Sequence, residues 1–324
     1  MAPSYFRAVY KVVDGHEIDV DVYLPQVATS TPKKNAGHPI IINIHGGAFM
    51  LGSSEMVNKN QVQDCLDRGF IVLAPNHRLC PGVDLLDGPM RDCRDCLDWI
   101  HNGGLHRAVS SETSDPYPLD LGQVFAFGTS SGGTLALGLG FEVPHPVAGI
   151  YDMYGPCNFS DAFWTSEVSQ VAVKLPPGLT EDFINQVYAE KPVPIRGGVS
   201  LEGQAPGAPN FSEPRQAFAF TQIARGSVFK AIYPAEDWAK VDPLRNISPS
   251  FPPTFIVHGT EDVMVPIGLS QELYSALVKN GVECGMEEVP GEGHTFAAKM
   301  EVGSRTWELQ RKGFDFLESL VKRV

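Results

Sequence analysis

The sequence predicts an α/β protein in which helices cover both faces of a mostly parallel sheet. Short, almost continuous apolar runs recur at 40–44, 70–74 and 124–127, and such runs are typical of strands that are buried on both faces. A helical pattern separates the second run from the third. Strands that alternate with helices indicate right-handed crossovers within one sheet.

The composition excludes several classes of protein. Of 324 residues, 43% are hydrophobic and 19% are charged, which suits a chain with a sizeable core. The net charge of −13 repels phosphate backbones and anionic lipid, so we expect no nucleic-acid and no membrane partner. No apolar run approaches the ~20 residues that span a bilayer, and the first residues lack the pattern of a signal peptide. We therefore expect a cytoplasmic protein; the sequence does not distinguish a monomer from a homo-oligomer.

The chain begins with a predicted antiparallel hairpin. Residues 5–13 and 17–24 are strand-like, the second with a strict two-residue alternation, and Asp14-Gly15 between them is a hairpin turn signal. A polar loop follows at 26–39. The remaining elements are predicted strands at 40–44, 70–74, 124–127, 147–151, 254–257 and 283–289 and predicted helices at 86–101, 134–141, 269–279 and 306–322.

Six cysteines are present, and we expect them to be reduced thiols because no secretory segment is apparent. Cys93 and Cys96 form a C-x-x-C pair, but they fall inside the helix predicted at 86–101, beside Met90 and Leu97 of its apolar stripe. Core packing therefore explains the pair better than a metal or redox site does.

The stretch 156–253 breaks the alternation of strands and helices. It is rich in Pro and Gly around 191–214 and carries many aromatic residues without a strand pattern, among them Phe159, Phe163, Trp164, Phe183, Tyr188, Phe218, Phe220, Phe229, Tyr233 and Trp238. We interpret it as a helical cap inserted into a core formed by 1–155 and 254–324. The alternatives are a cap whose aromatics contact substrate and one whose aromatics pack only among themselves.

A candidate nucleophile lies in the run Gly128-Thr129-Ser130-Ser131-Gly132-Gly133, which follows a buried strand and opens a helix of small residues. In G-x-S-x-G the central serine occupies a tight strand-to-helix turn, where flanking glycines permit close backbone approach. The helix N-terminus favours developing negative charge. Ser130 is the central residue.

A candidate oxyanion hole lies in the segment that follows the strand at 40–44. The segment reads His45-Gly46-Gly47-Ala48-Phe49, and acyl transfer needs exposed backbone N–H groups where oxygen gains charge. We expect these donors from Gly47 and Ala48, with Gly46 as a further candidate and the N–H of Ser131 completing the hole. The alternative is a generic turn after a strand.

A serine needs a base, and the base needs an acid that holds its tautomer. Among nine histidines His294 is the best candidate, because it lies on a Gly-bearing loop after the last strand. Asp262 follows the penultimate strand and is preferred to Glu261 as the acid. His45 is interpreted as an orienting residue and His77 as structural. No H-E-x-x-H, paired C-x-x-C or phosphate-binding glycine loop occurs, so we expect no metal and no nucleotide.

Together these motifs resemble the α/β-hydrolase superfamily, and within it the hormone-sensitive-lipase-like esterases. The matching segments are 45–49, 77–81, 128–133, 258–266 and 293–294, and the likeness covers about 10–321 apart from the cap. The resemblance implies the α/β-hydrolase fold, with a mostly parallel eight-stranded sheet, and hydrolysis of carboxylic esters without a cofactor. The order Ser130, Asp262, His294 is the order of this superfamily.

Three features depart from that family. Ala48 replaces the third glycine of the family's loop, and Thr129 replaces an acidic residue before the serine. We also expect no N-terminal helical lid, because only predicted strands and a loop precede His45. The shorter start is similar to the kynurenine-formamidase-like branch, which has Trp where this chain has Phe49, so amide hydrolysis stays open. Phe49 and Thr129 are the candidate substrate-binding residues.

The leading hypothesis is a serine carboxylesterase that acts on a small to medium apolar or aromatic small-molecule ester through an acyl-enzyme on Ser130. One alternative is an acyl hydrolase, cyclase or amidase of a biosynthetic pathway that uses the same three residues. A second is a non-catalytic ligand receptor on this fold, as in gibberellin-receptor relatives, but loss of the base would mark a receptor and His294 is present.

Overall fold

Eight strands form one sheet in the computed structural model, which describes residues 3–26, 37–113, 117–198 and 209–321. The strands are β1 (Phe6–Val13), β2 (His16–Tyr23), β3 (His38–Ile44), β4 (Ile71–Pro75), β5 (Leu119–Thr129), β6 (Ile150–Met153), β7 (Thr254–Gly259) and β8 (Cys284–Val289). The helices are α1 (Lys59–Asp67), α2 (Arg91–His101), α3 (Gly104–Glu112), α4 (Ser131–Leu137), α5 (Ser169–Ala172), α6 (Glu181–Ile184), α7 (Pro214–Ala224), α8 (Val228–Ile232), α9 (Ile267–Lys279) and α10 (Arg305–Leu320).

The strand order is β1-β2-β4-β3-β5-β6-β7-β8. Strand β2 is antiparallel to both of its neighbours, whereas β3 to β8 run parallel to one another. The predicted mostly parallel, eight-stranded α/β sheet is therefore confirmed. Because β5, β7 and β8 point the same way, the loops that follow them leave from one edge of the sheet.

The N-terminal hairpin forms as predicted, with β1 and β2 paired from Phe6–Val22 to Val13–His16. Asp14 and Gly15 both have positive φ, at 50° and 80°. These values are those of the two-residue turn whose twist matches that of the flanking strands.

The sheet buries side chains on both faces, as the apolar runs predict. In β3, Ile40, Ile42 and Ile44 belong to one hydrophobic cluster, whereas Ile41 points to the other. Helices α2, α3, α4 and α9 cover the first face, and α1 and α10 cover the second. This alternation follows from the two-residue period of a strand between two layers of helices.

Several helix bounds differ from the prediction. The helix predicted at 86–101 is divided into a π-helical turn at Leu86–Met90 and α2, and Pro89, which cannot donate a backbone hydrogen bond, lies in that turn. The predicted helix at 134–141 begins earlier, at Ser131. Helices α1 and α3 were not predicted, because each is only nine residues long and offers one short apolar stripe, Val62-Cys65-Leu66 and Leu105-Ala108-Val109.

Between β6 and β7 the described residues form helices and no strand of the sheet, which agrees with a helical insertion; its bounds at 156 and 253 remain a prediction. Besides α5–α8, this region contains short 3₁₀ helices at Ala162–Thr165, Asn185–Ala189, Trp238–Lys240 and Pro243–Asn246. Parts of three predicted features lie outside the described residues: 199–208 of the insertion, 27–36 of the first loop and 322 of the last helix. Among the described helices, none combines the length and apolarity needed to cross a bilayer.

The turn between β5 and α4 requires glycine at Gly128, because a Cβ there would lie 2.1 Å from the carbonyl oxygen of Gly132. We predict that Gly128→Ala lowers the free energy of unfolding by about 3 kcal/mol, since backbone cannot move aside cheaply. Gly268→Ala is the control, because a Cβ there meets nothing within 4 Å and α9 gains up to ~1 kcal/mol of helix propensity. Urea unfolding measures both; equal midpoints would contradict the prediction.

Candidate active site

Loops that follow three parallel strands bring a hydroxyl, an imidazole and a carboxylate together. Ser130 follows β5, Asp262 follows β7 and His294 follows β8. Ser130 Oγ lies 2.9 Å from His294 Nε2, and His294 Nδ1 lies 2.6 Å from Asp262 Oδ2. The three side chains are almost fully buried. The residues singled out in the sequence thus form one hydrogen-bonded chain.

Asp262 fixes the tautomer of His294. An ionised carboxylate only accepts hydrogen bonds, so the Nδ1–H of His294 donates to Asp262, and the lone pair of Nε2 accepts from the hydroxyl of Ser130. Burial acts to raise the pKa of Asp262, but the charge of His294 and hydrogen bonds from His258 and His294 outweigh it and hold that pKa below its usual value. The carboxylate is therefore charged at neutral pH.

A second imidazole, which the sequence analysis did not assign to the site, supports the same carboxylate. His258 Nε2 lies 3.1 Å from Asp262 Oδ2 and 2.8 Å from the carbonyl oxygen of Val265. Both are acceptors, so the Nε2–H donates to them and Nδ1 accepts from the Ser270 hydroxyl at 2.7 Å. The other oxygen of Asp262 accepts the amides of Met264 and Val265. The sequence signal was slight, a histidine at the end of a buried strand.

The backbone at Ser130 has the geometry of a sharp strand-to-helix turn. Its φ of 51° and ψ of −125° lie where residues other than glycine are rare and strained. The Ser130 amide donates to the carbonyl of Met153 at 2.9 Å, and its carbonyl accepts from the amide of Gly133 at 2.8 Å. These bonds to β6 and α4 hold the serine in that conformation.

The segment after β3 makes a second strained turn. Gly47, Ala48 and Phe49 have φ values of 123°, 53° and 63°. The carbonyl of Gly47 accepts the amides of Met50 and Leu51 at 3.0 and 2.8 Å, which closes the turn. Within the part of the chain that the structure describes, the amides of Gly47 and Ala48 have no backbone acceptor. They are candidate donors to a ligand.

His45 orients this turn. Its Nδ1–H donates to the carbonyl of Gly46 at 2.8 Å, and its ring stacks on His77 with centroids 4.5 Å apart. Burial and the neighbouring His77 lower the pKa of His45 to about 3, and burial lowers the pKa of His77 as well. Both imidazoles are neutral at pH 7, which suits structural roles.

The loop that carries His294 is also held by the start of α1, which packs in the same hydrophobic cluster as Phe296 and Ala297. Asn58 precedes α1 and accepts the amides of Asn60 and Gln61 through Oδ1, which caps the helix. Its Nδ2 donates to the carbonyl of Ala297 at 2.8 Å. The side chain therefore joins the start of α1 to the loop after β8.

A cavity of about 60 Å³ opens at Ser130 and His294. Ala48 and Phe49 line it, together with Pro156, Phe163, Trp164, Val168, Ile223, Gly226, Val228, Phe229, Met264 and Val265. Gly46 and Thr129 do not line it: they line a separate pocket of about 10 Å³ on the far side of the turn. Ser131, the first residue of α4, is buried beside Ser130.

The aromatic residues of the insertion divide between two roles. Phe163, Trp164 and Phe229 line the cavity, and Phe159 stacks on Phe229 at 4.0 Å from behind. Others pack away from it, as Tyr188 does against Phe218 and Phe211 against Phe220. The stretch therefore supplies rings both to the cavity wall and to packing within the insertion, and contact with substrate stays a prediction.

Tyr154 packs edge-on against the ring of His294, at 5.0 Å between centroids. It follows β6 with a φ of 47°, and no sequence pattern marked it. In the described ranges no group of three His, Cys, Asp or Glu side chains is arranged to hold a metal ion.

Comparisons with known proteins agree with this fold. Residues 20–174 match the family described as BD-FAE, and 223–323 match the prolyl oligopeptidase family. Esterase 2 of Thermogutta terrifontis, phosphonylated by cyclosarin, superposes with a TM-score of 0.61 at 18% identity over 99% of this chain and 96% of that one. The chain has the α/β-hydrolase fold. A Staphylococcus aureus protein of unknown function superposes with a TM-score of 0.69 at 20% identity, over 98% of this chain and all of that one.

The curated relatives of this α/β-hydrolase chain are much longer proteins. The non-reducing polyketide synthase Preu6 of Preussia isomera is 31% identical over 95% of the chain, and the non-reducing polyketide synthase mapC of Penicillium brevicompactum is 28% identical over 99% of it. In both cases the chain spans 14% of the relative's length.

A buried carboxyl lies beside the turn that holds Ser130. Asp152 in β6 is fully buried, and its Oδ1 accepts the amide of Gly155 at 3.0 Å. Its Oδ2 has no hydrogen-bond partner among the described residues. Burial raises the pKa of Asp152 to about 7, and the Gly155 amide opposes the rise only in part.

We predict that Asp152→Asn changes how stability depends on pH. In wild type the native carboxyl holds its proton more tightly than the unfolded chain does, so the native state loses stability as pH rises from about 4 to about 7, at up to ~1.4 kcal/mol per pH unit. The amide cannot titrate, so the stability difference between variant and wild type should favour the variant more at pH 7.5 than at pH 5. Urea unfolding at both values measures it. Asp182→Asn, on the surface, is the control; a difference independent of pH at Asp152 would contradict the prediction.

Proposed function

We propose that this chain is a serine hydrolase that cleaves carboxylic esters of small to medium apolar or aromatic acyl groups. The observation that carries the proposal is the hydrogen-bonded chain from Ser130 through His294 to Asp262, which opens on an apolar cavity. A serine hydroxyl becomes nucleophilic when a base takes its proton in the same step, and the Nε2 lone pair of His294 faces that proton.

In the first half-reaction, Ser130 Oγ attacks the acyl carbon and its proton passes to His294 Nε2. The buried charge of Asp262 stabilises the imidazolium that forms. Collapse of the tetrahedral intermediate breaks the bond to the leaving alcohol, which takes the proton back from Nε2. An ester then joins the acyl group to Ser130.

In the second half-reaction, a water molecule takes the place of the alcohol. His294 accepts its proton, the hydroxide attacks the acyl carbon, and the carboxylic acid leaves as Ser130 Oγ recovers a proton. In both halves the acyl oxygen carries negative charge. We assign its stabilisation to the amides of Gly47, Ala48 and Ser131, which flank the cavity wall at Ala48 and Ser130, and Gly46 lines the separate pocket.

The substrate class follows from the walls of the cavity. Among the described residues, no Asp, Glu, Lys or Arg side chain lines it, whereas four Phe and Trp rings do. A charged acyl group would lose its water there without gaining a partner, whereas an apolar or aromatic group would not. The proposal treats 156–253 as a cap that supplies this wall.

We predict that Ser130→Ala abolishes labelling by a fluorophosphonate probe, since the probe bonds covalently to an activated serine oxygen. Ser131→Ala is the matched control: it removes the neighbouring hydroxyl, which is buried and makes no hydrogen bond within the described residues. It should label within a few-fold of wild type. Gel fluorescence and intact mass measure the adduct. Labelling of Ser130→Ala at the wild-type rate would refute the assignment.

A second candidate function is hydrolysis of an acyl thioester, and the observation that favours it is the similarity to non-reducing polyketide synthases. The same residues would perform it, with a thiol as the leaving group. Comparing kcat/KM for an aryl ester and the N-acetylcysteamine thioester of the same acid separates the two. A preference of more than tenfold for the thioester would favour this candidate.

We predict that Trp164→Ala shifts the acyl preference toward larger groups, because Trp164 lines the cavity beside Phe163 and Phe229. The ratio of kcat/KM for a benzoyl over an acetyl p-nitrophenyl ester should rise at least tenfold, which is the range expected for freed apolar space. Trp238→Ala is the control, since Trp238 packs on Phe229 without lining the cavity. Equal ratios in the two variants would show that Trp164 does not limit the acyl group.

A further inference from the structure

Arg215 is a buried cation that links the insertion to the core. It is the second residue of α7 and is only 7% exposed. Its Nη1 donates to the carbonyls of Met50 and Cys80, at 2.7 and 2.6 Å, while Nε and Nη2 donate to Glu190 Oε2 at 2.8 and 2.7 Å. A cation in the first turn of a helix opposes the helix dipole, so stability of α7 does not explain its position.

The two carbonyls belong to the turn that carries the candidate oxyanion donors and to the loop that braces it. The amide of Met50 donates to the carbonyl of Gly47, and the amide of Cys80 donates to the carbonyl of Phe49 at 2.9 Å. Arg215 thus holds both ends of this short network. Ala48 lies inside this network, between Gly47 and Phe49, whose carbonyls accept the amides of Met50 and Cys80.

The turn needs such support because its conformation is unfavourable by itself. Three successive residues, Gly47 to Phe49, have positive φ, and for Ala48 and Phe49 this is a strained region that persists only where surrounding contacts fix it. A guanidinium supplies several directed donors in one plane, which lets one side chain bond two carbonyls and a carboxylate together. The ammonium of a lysine lacks that fork.

We propose that Arg215 is a positioning residue of the active site, which holds the amides of Gly47 and Ala48 toward the oxyanion from the insertion. The inference rests on the proposed function, since it assigns Arg215 to the same reaction. It also explains how the cavity keeps its shape: α7 carries Ile223 of the cavity wall about two turns beyond Arg215, so one side chain fixes both the wall and the turn.

The test compares Arg215→Met and Arg215→Lys with Arg225→Met. Arg225 closes the same helix α7 and pairs with Glu181 on the surface, with both side chains more than half exposed, so its loss removes a cation without touching the turn. For Arg215→Met we expect the fluorophosphonate labelling rate and kcat for p-nitrophenyl acetate to fall at least tenfold, with KM within twofold. Arg215→Lys should be intermediate, and Arg225→Met should stay within twofold of wild type.

Two further measurements separate this role from loss of the fold and from failure of the proposed function. If Arg215→Met does not show a cooperative melt, Arg215→Lys decides, and wild-type kcat in that variant would overturn the inference. The rate of amide hydrogen exchange in the segment 46–52 reports how firmly the turn is held and does not depend on catalysis. In a folded Arg215 variant this rate should increase at least tenfold.

If wild type labels at Ser130 and the folded Arg215→Met variant labels within twofold, the positioning role is wrong while the proposed function stands. If wild type does not label at Ser130, the proposed function fails. Hydrogen exchange then shows whether Arg215 holds the turn: unchanged exchange would overturn that as well.

Discussion

The buried carboxylate of Asp262 is the feature on which the rest of the site depends. Its two oxygens accept the amides of Met264 and Val265 and the imidazoles of His258 and His294. Without these donors a carboxyl at this depth would retain its proton and could not orient His294. With them the charge is held, the tautomer of the imidazole follows, and the imidazole in turn accepts from the serine hydroxyl.

The backbone around that carboxylate stores strain in two turns that face each other. Ser130 and the segment 47–49 take positive φ at the ends of the adjacent strands β5 and β3. Each turn is held by bonds to other elements: the first by β6 and α4, the second by the loop at Cys80 and by Arg215. Strained backbone of this kind positions groups for a ligand before the ligand binds.

The sequence was informative where one local pattern determines the outcome. Continuous apolar runs such as 40–44 predicted the parallel core, and Asp14-Gly15 predicted its hairpin. The small-residue elbow at Ser130 and the loop positions of Asp262 and His294 marked side chains that the structure brings together. Contacts made across the chain had no such signal. Arg215 is one arginine among many until the fold places it on the carbonyl of Met50, and Thr129, which precedes the serine in sequence, lines the separate small pocket.

The bond from Asn58 to the carbonyl of Ala297 has a consequence for how the chain matures. It joins residues 239 positions apart, so the loop of His294 acquires this anchor only when the segment around 297 reaches the start of α1. The strand-to-helix turn at Ser130 needs no residue from that segment. A chain cut before 262 would therefore carry Ser130 without the imidazole and the carboxylate that extend its hydrogen-bonded chain.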